Sequence, residues 1–238
     1  MRKPFFQNAH VTVYLGNALD VLQEMKSEGL HFDLLLTDPP YGLNQKESKT
    51  SGINAKRGKA MYSGKYFDDT LQYMNETVRP IVEQSLAIST LGIVTGGIGS
   101  YRWLPPPQEE GCMYMPASPS FNSWAHCDFQ PIFYYGKPKG NTGRYRKLSH
   151  QVSERGFSKH HPCSKPLEFW KKLMLCGTDG VRGKTILDPF GGSGTTGRAA
   201  QELGMRSVIV EINPKYCELI AKNCAQEFFD FTESQVTS

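Results

Sequence analysis

The segment Ile186-Leu187-Asp188-Pro189-Phe190-Gly191-Gly192-Ser193-Gly194-Thr195-Thr196-Gly197 decides the fold. It reads as a strand over 184–187, a glycine-rich turn, and a helix over 194–203 stopped by Gly204. Gly192, Gly194 and Gly197 satisfy G-x-G-x-x-G, a spacing that lets a ligand approach the backbone and the helix N-terminus. One such match carries little weight. Here a second strand, Ser207–Val210, ends on Glu211, 19 residues after Gly192. A carboxylate at the tip of the next strand is where a ribose diol is held. A tight strand–helix turn with an exposed glutamate is the simpler reading of the same residues. A Walker phosphate loop is excluded, because no Gly-Lys-Ser/Thr follows. A dinucleotide is disfavoured, since only 41 residues follow Gly197 and a second mononucleotide-binding half needs more. A ligand with one ribose and no pyrophosphate fits better.

Working outward, strands and helices alternate. Val11–Leu15 reads as a strand stopped by Gly16-Asn17, and Ala18–Glu28 as a helix with Leu19, Val21, Leu22 and Met25 apolar. Phe32–Leu36 is apolar except for Asp33, the pattern of a buried parallel strand. Leu71–Ser89 reads as a helix, with Gly92–Thr95 and Pro131–Tyr135 as strands. Residues 43–70, 96–130 and 138–160 show no period. Pro166–Cys176 and Pro214–Glu227 read as helices, each with proline in its first turn. This alternation implies an α/β fold with a mostly parallel sheet and helices on both faces.

Composition sets the frame. At 238 residues and 26.7 kDa the chain suits one domain, and 39% hydrophobic residues allow a sizeable core. No apolar run reaches about 18 residues, so no transmembrane helix is expected, and the start lacks the apolar stretch of a secretory signal. The six cysteines form no C-x-x-C pair and are read as reduced thiols in a cytoplasmic protein, with no structural zinc. Net charge is +4, unevenly spread. Residues 43–66 carry six Lys or Arg against one acid, and residues 136–159 carry seven against one. The rest of the chain is therefore acidic. Two solvated loops would explain this, as would two phosphate-contacting segments.

The strand over 32–36 runs into Thr37-Asp38-Pro39-Pro40-Tyr41-Gly42. In open α/β sheets, ligands bind beyond the carboxyl ends of the strands. Two prolines cannot donate to a ladder, so the chain must leave the sheet there. The turn then offers a carboxylate, backbone acceptors and an aromatic face together, a set that suits a flat ring bearing an amino group. A rigid Pro-Pro turn capped by an aspartate is the alternative on these residues alone.

Taken in order, these motifs resemble the S-adenosylmethionine-dependent amino-methyltransferases of DNA, in their permuted β-group order and of the N6-adenine type. The resemblance rests on Thr37–Gly42, Tyr66-Phe67-Asp68-Asp69, His161-Pro162-Cys163-Ser164-Lys165-Pro166, Leu187–Thr196, and Val210-Glu211-Ile212-Asn213 followed by Tyr216. It spans residues ~10 to ~225. It implies a Rossmann-like methyltransferase fold with circularly permuted motifs. The expected organisation is a single methyltransferase domain over 1–238, with the basic loop 43–66 and a target-recognition segment at about 137–160.

The resemblance also implies roles. Phe190, Gly192 and Gly194 would wrap the methionine part of the cofactor, and Glu211 would hold the ribose hydroxyls. Lys165 and Pro166 belong to a cofactor-side helix start. Asp38, Asp188 and Thr195 are counted with the cofactor set. Gly16-Asn17 stands where the family commonly has Gly-Asp near the cofactor adenine, and Asn17 keeps an acceptor oxygen there while losing the charge. Asp38, Pro39, Pro40 and Tyr41 form the catalytic set. The exocyclic amine of a base is a poor nucleophile held in a base pair, so the base must flip out, at about a few kcal/mol for unstacking. Asp38 would then accept one amine hydrogen, the Pro39 carbonyl the other, and Tyr41 would stack on the ring. Transfer is direct, without covalent intermediate or metal.

Asp rather than Ser at the first motif position favours adenine N6 over cytosine N4 within the resemblance. An RNA amino-methyltransferase and a DNA-binding relative without catalysis are the other classes considered. Cytosine C5 methylation would use the Pro162-Cys163 pair, but that pair lies inside the cofactor-side motif and no Glu-Asn-Val partner occurs. Lys56, Arg57, Arg144, Arg146, Lys147 and Arg155 are the candidate DNA-binding cations, with Asn141, Ser149 and Gln151 as base readers. The partner is double-stranded DNA, and the place of action is the cytoplasm and its nucleoid. A homodimer is expected from the resemblance alone, and a cognate restriction endonuclease is not determined by the sequence. Trp103, Trp124 and Trp170 are read as packing residues, and His160-His161 as a loop feature rather than a metal site.

Overall fold

The structure is a computed structural model that describes residues 1–42, 70–115, 120–121, 126–139, 145, 147–152 and 165–225. The basic loop 43–66 and the motif segments at 66–69 and 161–164 lie outside the described residues, as do Trp124, His160, His161 and Cys163.

In chain order the strands are β1 (Phe6–Gln7), β2 (Val11–Leu15), β3 (Phe32–Thr37), β4 (Ser89–Thr95), β5 (Glu109–Tyr114), β6 (Ser120–Phe121), β7 (His126–Cys127), β8 (Phe129–Tyr135), β9 (Ser149–Gln151), β10 (Thr185–Asp188) and β11 (Arg206–Glu211). The helices are α1 (Ala18–Ser27), α2 (Leu71–Tyr73), α3 (Arg79–Ala87), α4 (Leu167–Thr178), α5 (Thr195–Glu202) and α6 (Pro214–Cys224). The helix expected over 71–89 is not uniform. A π-helical turn, Met74–Val78, joins α2 to α3, and the chain is already extended at Ser89. Two stretches in which no period was found contain strands, among them β5 and β9.

Among the described residues nine strands form one sheet in the order β1-β2-β11-β10-β3-β4-β8-β5-β9, and β6 and β7 form a separate pair. The five strands from β2 to β4 are mutually parallel. β8 runs antiparallel to both β4 and β5. From β10 the chain passes through α5 to β11 on one side, and from β3 it passes through α3 to β4 on the other. The carboxyl ends of β10 and β3 are therefore a topological switch point, where a crevice opens.

Both faces of the parallel region are covered, which is why β3 is apolar almost throughout. Leu35 of β3 packs with Val94, Leu187 and Val210 against α1 and α3. Leu34 and Leu36 point the other way, onto Phe169, Trp170, Leu173 and Met174 of α4 and Ala199 and Ala200 of α5. Val11, Val13 and Ile209 pack against Cys217, Ile220 and Cys224 of α6. Trp103 and Trp170 are core residues, as expected. Cys112, Cys127, Cys176, Cys217 and Cys224 stand outside any disulfide among the described residues. No helix among the described residues is long and apolar enough to cross a membrane.

Leu34 is fully buried, and α4 lies so close to it that a Cβ on Gly177 would stand 2.6 Å from its Cδ1. Leu34→Ala should therefore lower the unfolding free energy by about 2–5 kcal/mol, and Gly177→Ala by about 1–3 kcal/mol through overpacking. Urea unfolding of the two variants checks both values.

Candidate active site

Two loops meet over the switch point, and a buried carboxylate joins them. Asp188, the last residue of β10, is 3% exposed. Its Oδ1 accepts from Thr37 Oγ1 at 2.7 Å and from the Phe190 N–H at 3.1 Å, and its Oδ2 accepts from Thr196 Oγ1. Thr196 Oγ1 in turn accepts from Trp170 Nε1 at 2.8 Å. One chain of hydrogen bonds thus links α4, α5, β10 and β3. Asp188 was expected among the cofactor ligands. Its oxygens face the interior and are taken by these donors, so its part is to hold the two loops together.

The glycine turn follows. Gly194 caps α5 at φ +82°, a conformation that favours glycine. Glu211 at the end of β11 is 8% exposed. Its Oε2 accepts from the Gly192 N–H and its Oε1 from the Asn213 N–H, both at 2.8 Å. Each oxygen keeps a lone pair for a further donor, and the turn beside it carries no side chain at Gly192. Phe190 is half-buried, and Thr195 pairs with Ser193 Oγ at 3.2 Å. This group of residues fits a cofactor with a ribose diol.

Asn17 has a structural task as well. Its carboxamide oxygen accepts from the Leu19 N–H at 2.9 Å and caps α1, as an N-cap side chain satisfies an otherwise unpaired donor. The same oxygen keeps a second lone pair.

Across the crevice, Asp38 stands just beyond β3. Its Oδ1 accepts from Tyr41 Oη at 2.7 Å and from Thr95 Oγ1 at 2.6 Å, Thr95 being the last residue of β4. Its Oδ2 accepts from Lys165 Nζ at 2.6 Å, and the same nitrogen is 2.6 Å from Tyr41 Oη. Lys165 was expected on the cofactor side, at a helix start. Pro166 caps α4, and the Lys165 ammonium reaches the Asp38–Tyr41 pair. Tyr41 packs against Gly97, where an added Cβ would be 3.1–3.2 Å from its Cβ, Cγ and Cδ2. Pro39 is buried, and Pro40 is half-buried.

Thr95 and Gly97 escape a reading of the sequence, and Thr37 and Thr196 appear there only as motif members without a role. Thr37 could have been noticed from its place before Asp38. Thr95 and Gly97 come to the site only because β4 pairs with β3 in register, Thr37 opposite Val94.

Of the candidate DNA-binding cations, Lys56, Arg57, Arg144, Arg146 and Arg155 lie outside the described residues. Lys147 is exposed, but its carbonyl is 3.5 Å from Tyr134 Oη, toward the end of the sheet away from the crevice. Gln151 is exposed at the crevice end, since it pairs with Tyr114 and through it with Phe129.

A family model for DNA methylases matches residues 101–223, more than half of the chain. The chain belongs to this DNA methylase family. It is 24% identical over 239 residues to the type II methyltransferase M.HpaI of Haemophilus parainfluenzae, covering 91% of this chain and 74% of that protein. It is 30% identical over 87 residues to the DNA adenine methyltransferase YhdJ of Escherichia coli, a match confined to 37% of this chain and 28% of the other. Among solved structures, the cytosine-N4-specific PvuII DNA methyltransferase superposes with a TM-score of 0.66 at 17% identity, over 98% of this chain and 91% of that one. That likeness establishes the fold and leaves the base open. The protein is accordingly a DNA methyltransferase with S-adenosylmethionine as its cofactor, and the permuted Rossmann-like reading of the sequence agrees with the observed sheet.

Two predictions follow from this geometry. Gly97→Ala should leave the fold intact but push the Tyr41 ring aside; a misplacement of that kind costs roughly 10–100-fold in turnover, measurable as kcat at saturating DNA. The second concerns pH. Burial pushes Asp188 up to about 6 and Glu211 up to about 7, in spite of the N–H and hydroxyl donors each receives. Both groups bind protons more readily folded than unfolded, where their values lie near 4. Their contribution therefore makes the fold less stable as pH rises from about 4 to about 7. In Glu211→Gln, the urea midpoint should fall less between pH 5 and pH 8 than in the wild type.

Proposed function

We propose that the protein transfers a methyl group to the exocyclic N6 of an adenine flipped out of duplex DNA, at a specific site. The observation that carries this reading is the ordering of Asp38 at the switch point by Tyr41, Thr95 and Lys165, beside a glycine turn and a glutamate suited to a nucleoside. When bound, S-adenosylmethionine supplies an electrophilic methyl group on a sulfonium. The chain's own residues then have three tasks. Glu211 receives the ribose hydroxyls, and the turn at Phe190, Gly192 and Gly194 leaves room for the methionine part. Asp38 accepts one amine hydrogen and the Pro39 carbonyl the other, which draws the nitrogen toward tetrahedral geometry and turns its lone pair toward the methyl. Tyr41 packs on the flipped ring, its own ring fixed by Gly97 and its hydroxyl by Asp38. Positioning of this kind accounts for much of the acceleration.

Adenine is favoured over cytosine by Asp38, the residue usual for N6 transfer in the family resembled, and by the adenine-methylating relative. Duplex DNA is the substrate of this proposal. Action on cellular DNA makes the location cytoplasmic and nucleoid-associated, and the resemblance adds a homodimer, which sedimentation of the purified protein tests.

Product identification tests the central claim. Incubation with unmethylated genomic DNA and labelled S-adenosylmethionine, followed by nucleoside mass spectrometry, should give N6-methyladenine. N4-methylcytosine would overturn the choice of base, and methylation of RNA alone would overturn the substrate. Asp38→Ala should lose transfer while cofactor affinity changes less than about threefold; an active variant would remove Asp38 from the mechanism.

A further inference from the structure

The Lys165 ammonium occupies a telling position. Its side chain is only 9% exposed. It donates to Asp38 Oδ2, touches Tyr41 Oη, and stands 5.2 Å from the centre of the Tyr41 ring. Asp38 Oδ1 is already filled by Tyr41 and Thr95. The remaining oxygen, Oδ2, is the one left for an incoming amine, and Lys165 holds it.

Lysine is suited to imitate that amine. Its ammonium is a compact nitrogen bearing three N–H donors and no acceptor. An exocyclic amine offers its hydrogens to the same kind of acceptor. Both nitrogens need Oδ2 and the space beside Tyr41. Keeping the cation there during transfer would also be unfavourable, because the accepting nitrogen becomes positive as the methyl arrives. A long flexible stem lets the ammonium leave without moving α4, since Lys165 precedes the capping residue Pro166.

We propose that Lys165 is a placeholder for the substrate amine: it fills the amine position in the DNA-free protein, and a flipped base enters by exchanging N–H donors with it. This rests on the amino-methyltransferase reading above. Two consequences follow. Asp38 and Tyr41 are held in their working positions before substrate arrives, so neither is left as an unpaired group in the crevice. A base also has to repay what it displaces. An amine gives Asp38 a donor in return, whereas a base with a carbonyl at that position gives it an acceptor and stays in the helix. Lys165 is in this sense a specificity-determining residue that acts as an internal competitor.

The test compares two duplexes carrying the recognition site mapped from the methylated product, one with the target adenine and one with an abasic site in its place. Binding is read by fluorescence anisotropy without cofactor. Lys165→Met keeps the stem and removes the donors. It should tighten the adenine duplex relative to the abasic duplex by tenfold or more, because only the adenine has to evict the lysine. A ratio that is unchanged, or that shifts toward the abasic duplex, overturns the placeholder. Abasic-duplex affinity reports directly that the variant is folded. In Lys165→Ala, added ethylammonium should fill the vacated position and weaken the adenine duplex only. Should neither variant fold, acylation of wild-type Lys165, followed by peptide mass spectrometry, replaces them: faster labelling with the adenine duplex than with the abasic one supports the exchange, and equal labelling overturns it. Failure of the underlying reading is separate, since wild-type protein would then methylate no amino group of DNA.

Discussion

A carboxylate buried between parallel strands must find its donors among its immediate neighbours, and the rest of the crevice is arranged around that demand. Unpaired, Asp188 would cost several kcal/mol. Each group that satisfies it belongs to a different element. Thr37 ends β3, Phe190 opens the glycine turn, and Thr196 lies in the first turn of α5 with Trp170 of α4 behind it. Meeting the needs of one side chain therefore fixes the separation of the cofactor turn from the Asp38 loop. Two loops joined in this way cannot drift apart without exposing a partner-less acceptor.

The two carboxylates of the crevice are held in contrasting ways. Glu211 takes backbone donors, Gly192 on one oxygen and Asn213 on the other among them, and so is tied to the end of β11 and the glycine turn. Among the described residues Asp38 takes side-chain donors, Tyr41 from its own loop, Thr95 from β4 and Lys165 from the segment before α4. The first arrangement is rigid because backbone cannot rotate away. The second can be rearranged, since a lysine or a hydroxyl can turn to another partner. A fixed cofactor side and an exchangeable substrate side is what a reaction with one constant donor and one large mobile acceptor calls for.

The strands and helices around the glycine turn could be read from sequence because their signals are local. Strand β3 is a nearly unbroken apolar run, and α5 starts at a glycine and stops at one. The outer strands β5 and β9 could not be so read. They lie at one edge of the sheet, are paired only through β8 and each other, and carry mixed residues such as Glu109, Glu110 and Ser149. The π-helical turn before α3 has no marker in composition. At the site, motif residues such as Asp38, Tyr41 and Glu211 announced themselves, whereas their supports did not. Gly97 and Thr95 matter because of strand register, and Lys165 because a side chain reaches across the crevice. Asn17 carries a task its motif position did not announce: it caps α1.

The order of the sheet has a consequence for how the chain folds as it is made. Strand β2 is paired with β11, Val11 opposite Ser207, and has β1 as its other neighbour. During synthesis β2 is made long before β11, so its central partner does not yet exist. Such non-local pairing slows folding, because the entropy of closing a long loop is lost before any contact repays it. The faces of β2 and β3 that α4, α5 and α6 cover lack those partners throughout that interval. Nascent chains of this protein are thus candidates for chaperone capture, and no truncated product ending before β10 can assemble the crevice.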